Sequence, residues 1–306
     1  MAKYILKRLL MMVPVIIGIT LFIFFVLNLA QGDPAQLILG PDATAADLAA
    51  KRAELGTDKP ILAQYFLYMK NVLTGDFGTS WINGFDVLSE FMGRIPTTLK
   101  LGLLGMSFAI LLGIPLGIFA AIKQFHLVDY VVLALALILC SLPSFWFGMM
   151  TQIFFCLELN LLPASGIGSF QHYVLPALTL GAAILAAHMR MARTSMLDVI
   201  KQDYIRTARA KGASELRVIL KHALRNGMLP VVTQVGLSFT MIMGGAVVTE
   251  TVFSIPGIGT LLINAVKTRD IPVVMGTLIF IAIFVGIVNL IVDIIYALID
   301  PRIALE

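Results

Sequence analysis

The chain has 306 residues, 59% of them hydrophobic and only 13% charged, with a net charge of +4. A water-soluble domain carries about 25% charged residues, so this composition excludes an ordinary soluble enzyme and points to an integral membrane protein. The positive excess gathers between residues 190 and 225 instead of spreading over a surface, which argues against nucleic acid as a partner.

A helix needs about 20 apolar residues to cross a bilayer, and six apolar runs, uncharged except for Asp293 in the last, read as such spans. Helices are the expected form, because backbone groups in lipid must be satisfied within the segment, and the alternation of a membrane barrel is missing. The first run lies within Leu9 to Ala30. Lys3, Lys7 and Arg8 precede it as in a signal peptide, but the run is too long for a signal core and no small-residue cleavage site follows, so a retained helix is expected.

Residues 31–97 then form an expected extracytoplasmic helical region. Thr44 and Asp47 have the spacing of a capping box that opens a helix through Glu54. Pro60, as a first helical residue, and Gly75 bracket a second helix with aromatics on one face. It is either a lid on the outer ends of the bundle or a docking surface for an extracytoplasmic partner. Residues 98–306 make the expected core domain, with the second run within Leu101 to Ile122 and the third inside Tyr130 to Leu157. Cys140 and Cys156 in that third run read as packed thiols, not a disulfide. The fourth run covers Tyr173 to Met189, the fifth Met228 to Thr249 and the sixth Pro272 to Leu298. "GIPLG" at Gly113 to Gly117 and the Gly244-Gly245 pair are expected at close helix contacts.

Between the fourth and fifth spans lies the basic loop, residues 190–227. It holds nine Lys or Arg residues against Asp198, Asp203 and Glu215. Placing it inside, with Lys3, Lys7, Arg8 and Arg302, satisfies the positive-inside rule and puts both termini in the cytoplasm. Asp198 to Lys211 is expected as a helix ended by Gly212 in a left-handed cap. Ser214 caps a second helix, and Pro230 starts the next span. Three readings of this basic helix pair stand side by side: a solvated loop enforced by topology, a contact for anionic lipid, or a socket for another protein.

Catalytic patterns are absent. His126, His172, His188 and His222 have no metal-ligand spacing, and Lys211 precedes its glycine where a phosphate-loop lysine follows one. If ATP drives this protein, another chain binds it. Asp293, late in the last span, and His188 are expected to be structural. Glu250 opens "ETVFSIPGIG", whose Pro256, Gly257 and Gly259 suggest a fixed turn toward a pore mouth, so that Glu250, Phe253, Pro256 and Gly257 either line an entry or touch an extracytoplasmic partner, or else simply brace the loop. Gln234 and Ser238 are among the polar residues that could line a passage.

"DYIRTARAKG" followed by "KHALRNGMLPVVT" resembles the cytoplasmic coupling loop of bacterial ABC importer permeases, in the dipeptide and oligopeptide permease family that includes nickel and glutathione importers. "GDPA", "ETVFSIPGIG", "RDIPVV" and "VDIIYALIDPR" agree with that family, so the resemblance spans essentially the whole chain. Arg206, Thr207 and Ala208 stand where the general pattern has Glu-Ala-Ala. The resemblance implies a type I importer fold with six transmembrane helices in the bacterial inner membrane. It implies a second homologous permease beside this chain, two ATPase subunits that bind ATP and Mg, and an extracytoplasmic solute-binding protein. Asp203, Tyr204, Arg206, Thr207, Ala208, Arg209, Ala210, Lys211 and Gly212 would then seat in a cleft of the ATPase. Selectivity would rest largely with the binding protein. The expected cargo is a di- or oligopeptide, with nickel chelate or glutathione as the alternative. An ATP-independent transporter or channel is the rival of a different class, and it calls for paired intramembrane charges or interrupted helices.

Overall fold

In the computed structural model, which describes residues 2–29 and 32–299, the chain divides into two compact units. One holds the chain up to Thr97 together with Pro256–Leu290; the other holds Thr98–Ile255 and the continuation from Ile291. All named elements are helices, and the β-pairing among described residues is one isolated bridge, Thr79 to Asp86.

The first unit starts with α1 (Ala2–Leu29), an apolar helix that keeps Pro14 in its interior. Three short helices follow: α2 (Pro34–Leu39), α3 (Ala45–Leu55) and α4 (Ile61–Leu73). The Asp33 carboxylate accepts from the Ala35 N–H to start α2, with Pro34 in the first turn where its missing N–H does no harm. The capping box of α3 is present in both directions, Thr44 Oγ1 accepting from Asp47 N and the Asp47 carboxylate from Thr44 N. Pro60 does not begin α4 as a helical residue. It stands one position earlier with extended backbone, ψ 141°.

Tyr65 on α4 is buried and packs edge-on against Phe24 of α1, and its hydroxyl lies 3.0 Å from Thr20 Oγ1. Burial and, secondarily, the Asp76 charge push the Tyr68 hydroxyl well above the usual phenol range, so it stays protonated. Two further helices belong to this unit, α12 (Ile258–Thr268) and, as far as Leu290, α13 (Ile271–Ile299). Asp270 at their joint accepts from Ser80 Oγ at 2.5 Å and from Trp81 N at 3.0 Å, binding the turn before the next helix to the start of α13. Lys267 lies in the last turn of α12, and Arg269 caps that helix in the left-handed region at φ 55°.

Helix α5 (Val87–Ile122) has 36 residues and so reaches about 54 Å at 1.5 Å per residue, well beyond a hydrocarbon core of about 30 Å. In the second unit it packs on α8 (Gln171–Ile200) through a seam of glycines. A Cβ on Gly181 would sit 2.5 Å from Gly105 O, one on Gly113 would sit 2.8 Å from Leu185 O, and one on Gly117 would collide with Met189 O. Helix association in lipid rests on such close backbone approach, because apolar side chains gain nothing by leaving hydrocarbon. Gly245 meets the Leu180 side chain at 3.0 Å, whereas Gly244 has open space. Around the seam Leu101, Met106, Met189, Ile242 and Phe253 form one buried cluster.

The third apolar run is not one straight helix. It forms α6 (Leu127–Ser141), α7 (Ser144–Gln152) and a π-helical turn, Ile153–Glu158, with a 102° bend between the two arms. Pro143 explains the break: it offers no N–H and drives Leu142 to ψ 129°, out of the helical region. Cys156 is buried as expected, but Cys140 is exposed; both are free thiols.

After α8 comes α9 (Asp203–Ala210), then α10 (Glu215–Arg217), a π-helical turn at Val218–Ala223 and α11 (Leu224–Val252). The expected helix from Asp198 is interrupted, because α8 runs on to Ile200 and Gln202 is extended at ψ 150°. Pro230 does not open a span either: it lies inside α11, since burial of Val218 and Ala223 carries the preceding segment straight into the span. α11 bends by 52° at the glycines after Ile242. Among the described residues four helices are long and apolar enough to cross a membrane, and six spans result when each bent pair counts as one.

Candidate functional site

The α9 segment is an amphipathic stub bolted to the second unit. Ile205 is fully buried among Ala121 of α5, Met196 of α8, Val218 and Ala223. Ala208 packs beside it, half-buried, so the small-residue patch read from sequence faces its own protein in part. Tyr204 Oη accepts from Asn226 Nδ2 at 2.8 Å, tying α9 to α11. Arg209 forks onto Glu215, with Nε–Oε1 at 2.7 Å and Nη2–Oε2 at 3.2 Å, and so links the two helices across the turn. Gly212 makes that turn at φ 80°, with its N–H on Arg209 O and the Ala213 N–H on Ala208 O.

What remains for a partner is the outer face: Asp203, Arg206, Thr207, Ala210 and Lys211 are all exposed. The Asp203–Arg206 contact at 3.5 Å joins two side chains 96% and 74% exposed, so water screens it and it leaves both charges available. One face thus fixes the stub while the other offers charges and small side chains.

The residues expected along a passage fall into three places. Gln234 and Ser238 lie on α11 against α8: Ser238 Oγ donates to Gln234 O at 2.8 Å and sits 3.2 Å from His188 Nε2. With its hydrogen used on that carbonyl, the Ser238 hydroxyl accepts from Nε2–H, which fixes the imidazole in one tautomer. His188 and Ser238 are both buried, so they act as a helix-to-helix pin. Glu250 does not open a loop; it lies inside α11, fully buried, and its carboxylate accepts from Thr98 Oγ1 at 2.5 Å. Phe253, 1% exposed, packs close to Gly148 of α7. Pro256 and Gly257 belong to the other compact unit, where Pro256 is exposed and the Gly257 N–H is bonded to Thr260 Oγ1 as α12 begins. Asp293 is half-buried, and Arg302, considered as its partner, lies outside the described residues.

The sequence reading missed a buried, doubly hydrogen-bonded charged pair of the second unit. Asp129, in the first turn of α6 and 1% exposed, receives Arg193 of α8 in a bidentate fork, Nε–Oδ1 2.5 Å and Nη2–Oδ2 2.8 Å. Its Oδ2 also takes the Phe125 N–H at 3.1 Å, where the backbone turns at φ 66°. An aspartate at the edge of an uncharged run was the available signal. No group of three or more His, Cys, Asp or Glu residues able to hold a metal ion occurs among the described residues.

A family profile described as the inner membrane component of binding-protein-dependent transport systems matches residues 113–305, and one for the N-terminal part of that component matches residues 1–102. The chain belongs to this family. The glutathione transport system permease protein GsiC of Salmonella choleraesuis (strain SC-B67) is 44% identical over 303 residues, 99% of both chains. The protein of that name from Escherichia coli (strain K12) is 42% identical over the same share. The fold is similar to that of a chain of the MetNI methionine ABC transporter in inward-facing conformations, with TM-score 0.57 and 17% identity over 69% of this chain and 96% of that one. An amino acid ABC transporter with histidines gives TM-score 0.56 and 13% identity over 71% and 95%.

The chain is therefore an all-α, multi-pass permease component of a bacterial ABC importer, in the inner membrane, with the fold of that class. Bent helices and an ion pair, set above as marks of a self-sufficient transporter, do occur at Pro143 and at Asp129–Arg193. Family membership over nearly the whole chain outweighs them, and both have local structural explanations.

Proposed function

We propose that this permease forms half of a pore that takes short peptides, glutathione first among them, from an extracytoplasmic binding protein into the cytoplasm. The observation that carries the cargo is the 44% identity over 99% of the chain to permeases named for glutathione. That identity favours the alternative cargo, glutathione, itself a tripeptide, over the di- or oligopeptides expected first. A second permease completes the pore, and two ATPase subunits below it bind ATP and Mg. Both termini and the α9 loop lie in the cytoplasm, supported by the nine bases of residues 190–225.

ATP binding closes the ATPase pair and ATP hydrolysis reopens it. That cycle drives the pore only if the closed and open pairs engage α9 with different free energies. The exposed face at Asp203, Arg206, Thr207, Ala210 and Lys211 is the surface engaged. The buried face, Ile205 and Ala208, passes the displacement to α5, α8 and α11. The test is uptake of labelled glutathione into vesicles that hold the complete transporter, with the cognate binding protein outside and ATP inside. Saturable uptake that excess glutathione blocks, and dipeptides block weakly, is expected. Uptake of dipeptides in preference to glutathione would return the cargo to the wider peptide class.

A further inference from the structure

Within the second unit the helices that meet α8 are held in two different ways. α5 is locked to it by the glycine seam from Gly105 to Gly117, which leaves no room for sliding, and α9 is locked to both through Ile205. These three helices form one packed arm. α6 packs through Val132, Ala136 and Leu139 into the cluster it shares with α8, but without a glycine interlock, and its Leu135, Leu137 and Ile138 are exposed to lipid. What sets its angle against α8 is the Asp129–Arg193 fork at its first turn, reinforced by the Phe125 N–H, with a weaker Arg190 Nη2 to Cys140 Sγ contact at 3.6 Å near its other end.

We propose that Asp129 and Arg193 are a positioning pair that makes α6, and beyond the Pro143 bend α7, follow the α5–α8–α9 arm when the ATPase moves α9. The pair suits that task. Two parallel hydrogen bonds fix an angle as well as a distance, and a guanidinium supplies them where an ammonium cannot. Arg193 is one α-helical turn from Met189 and nearly one from Met196, so the clamp sits on the stretch of α8 between the seam and α9. Asp129 sits in the first turn of α6, at the end next to the chain reversal from α5. Removing either partner leaves a buried charge without compensation, and α6 is then free to lag behind the arm. This inference rests on α9 being the segment that the ATPase moves.

The test uses the complete transporter reconstituted in vesicles, with uptake and ATP hydrolysis measured side by side. Asp129→Asn is expected to keep assembly and ATP hydrolysis while uptake per ATP hydrolysed falls about tenfold, the scale of a typical coupling free energy. Arg193→Lys, which retains the charge but not the fork, is expected to fall less. An unchanged ratio in Asp129→Asn, or uptake and hydrolysis falling in equal proportion, overturns the proposal. A second measurement does not depend on those variants folding. Spin labels at Leu137→Cys on α6 and Thr194→Cys on α8, both exposed sites, with Cys140→Ser, are expected to keep one separation with and without ATP. A separation that changes with nucleotide in this otherwise wild-type protein overturns it as well. Arg206→Glu tests the underlying reading apart from the clamp, because loss of ATPase binding there upholds the α9 assignment whatever Asp129→Asn does.

Discussion

At position 212 the backbone stands at φ 80°, and a Cβ built there would meet nothing within 4 Å. Any penalty for substitution is therefore conformational, not steric, and it should follow side-chain tolerance of the left-handed region: Asn mild, Ala intermediate, Val worst. The strain in Ala is about 1–2 kcal/mol, and it falls on the corner that joins α9 to the next helix. Solute-stimulated ATP hydrolysis should decline in that order, and equal activity for Gly212→Val and Gly212→Asn would remove Gly212 from the account. Thr98 offers a second residue-level test. Thr98→Val removes one donor to the buried Glu250 carboxylate, and the loss of one hydrogen bond to a charged group costs about 1.5–3 kcal/mol. The purified permease should unfold at a lower temperature, with the same helix content.

Among the elements, the α5–α8 seam makes the most selective prediction. Gly117→Ala places a methyl group against Met189 O, and Gly181→Ala places one 2.5 Å from Gly105 O. Overpacking of this kind costs about 1–3 kcal/mol. Gly244→Ala, in open space on α11, should be neutral and serves as the control. Thermal unfolding in mild detergent separates the three. The sequence made some of these elements plain and hid others, for physical reasons. Runs of about 20 uncharged residues are a property of composition, so α1, α5, α8 and α13 could be read directly. The Thr44–Asp47 box and the Gly212 cap are local patterns closed within three or four residues. The fate of Pro143 and Pro230 was hidden, because one breaks its helix and the other is carried through by packing, and sequence spacing does not distinguish them. The Asp129–Arg193 fork was hidden as well, since its members lie 64 positions apart. Glu250 read as a loop residue because "SIPGIG" follows it, whereas α11 continues past it to Val252.

At the scale of the whole molecule, 22 basic residues against 18 acidic ones make a modest excess that has one address, residues 190–225 around α9. The chain belongs to a family of transport components. Under the proposed function its work is mechanical, to convert movement of α9 into rearrangement of the spans, with the energy supplied by other chains through the exposed face of α9. The most direct measurement is to tag this chain in its native host, purify it in mild detergent and identify by mass spectrometry what travels with it, for the wild type and for Arg206→Glu. The account predicts a second permease and ATPase subunits with the wild type, and loss of the ATPases, but not of the second permease, from the variant. Recovery of this chain by itself, still moving solute without ATP, would contradict it.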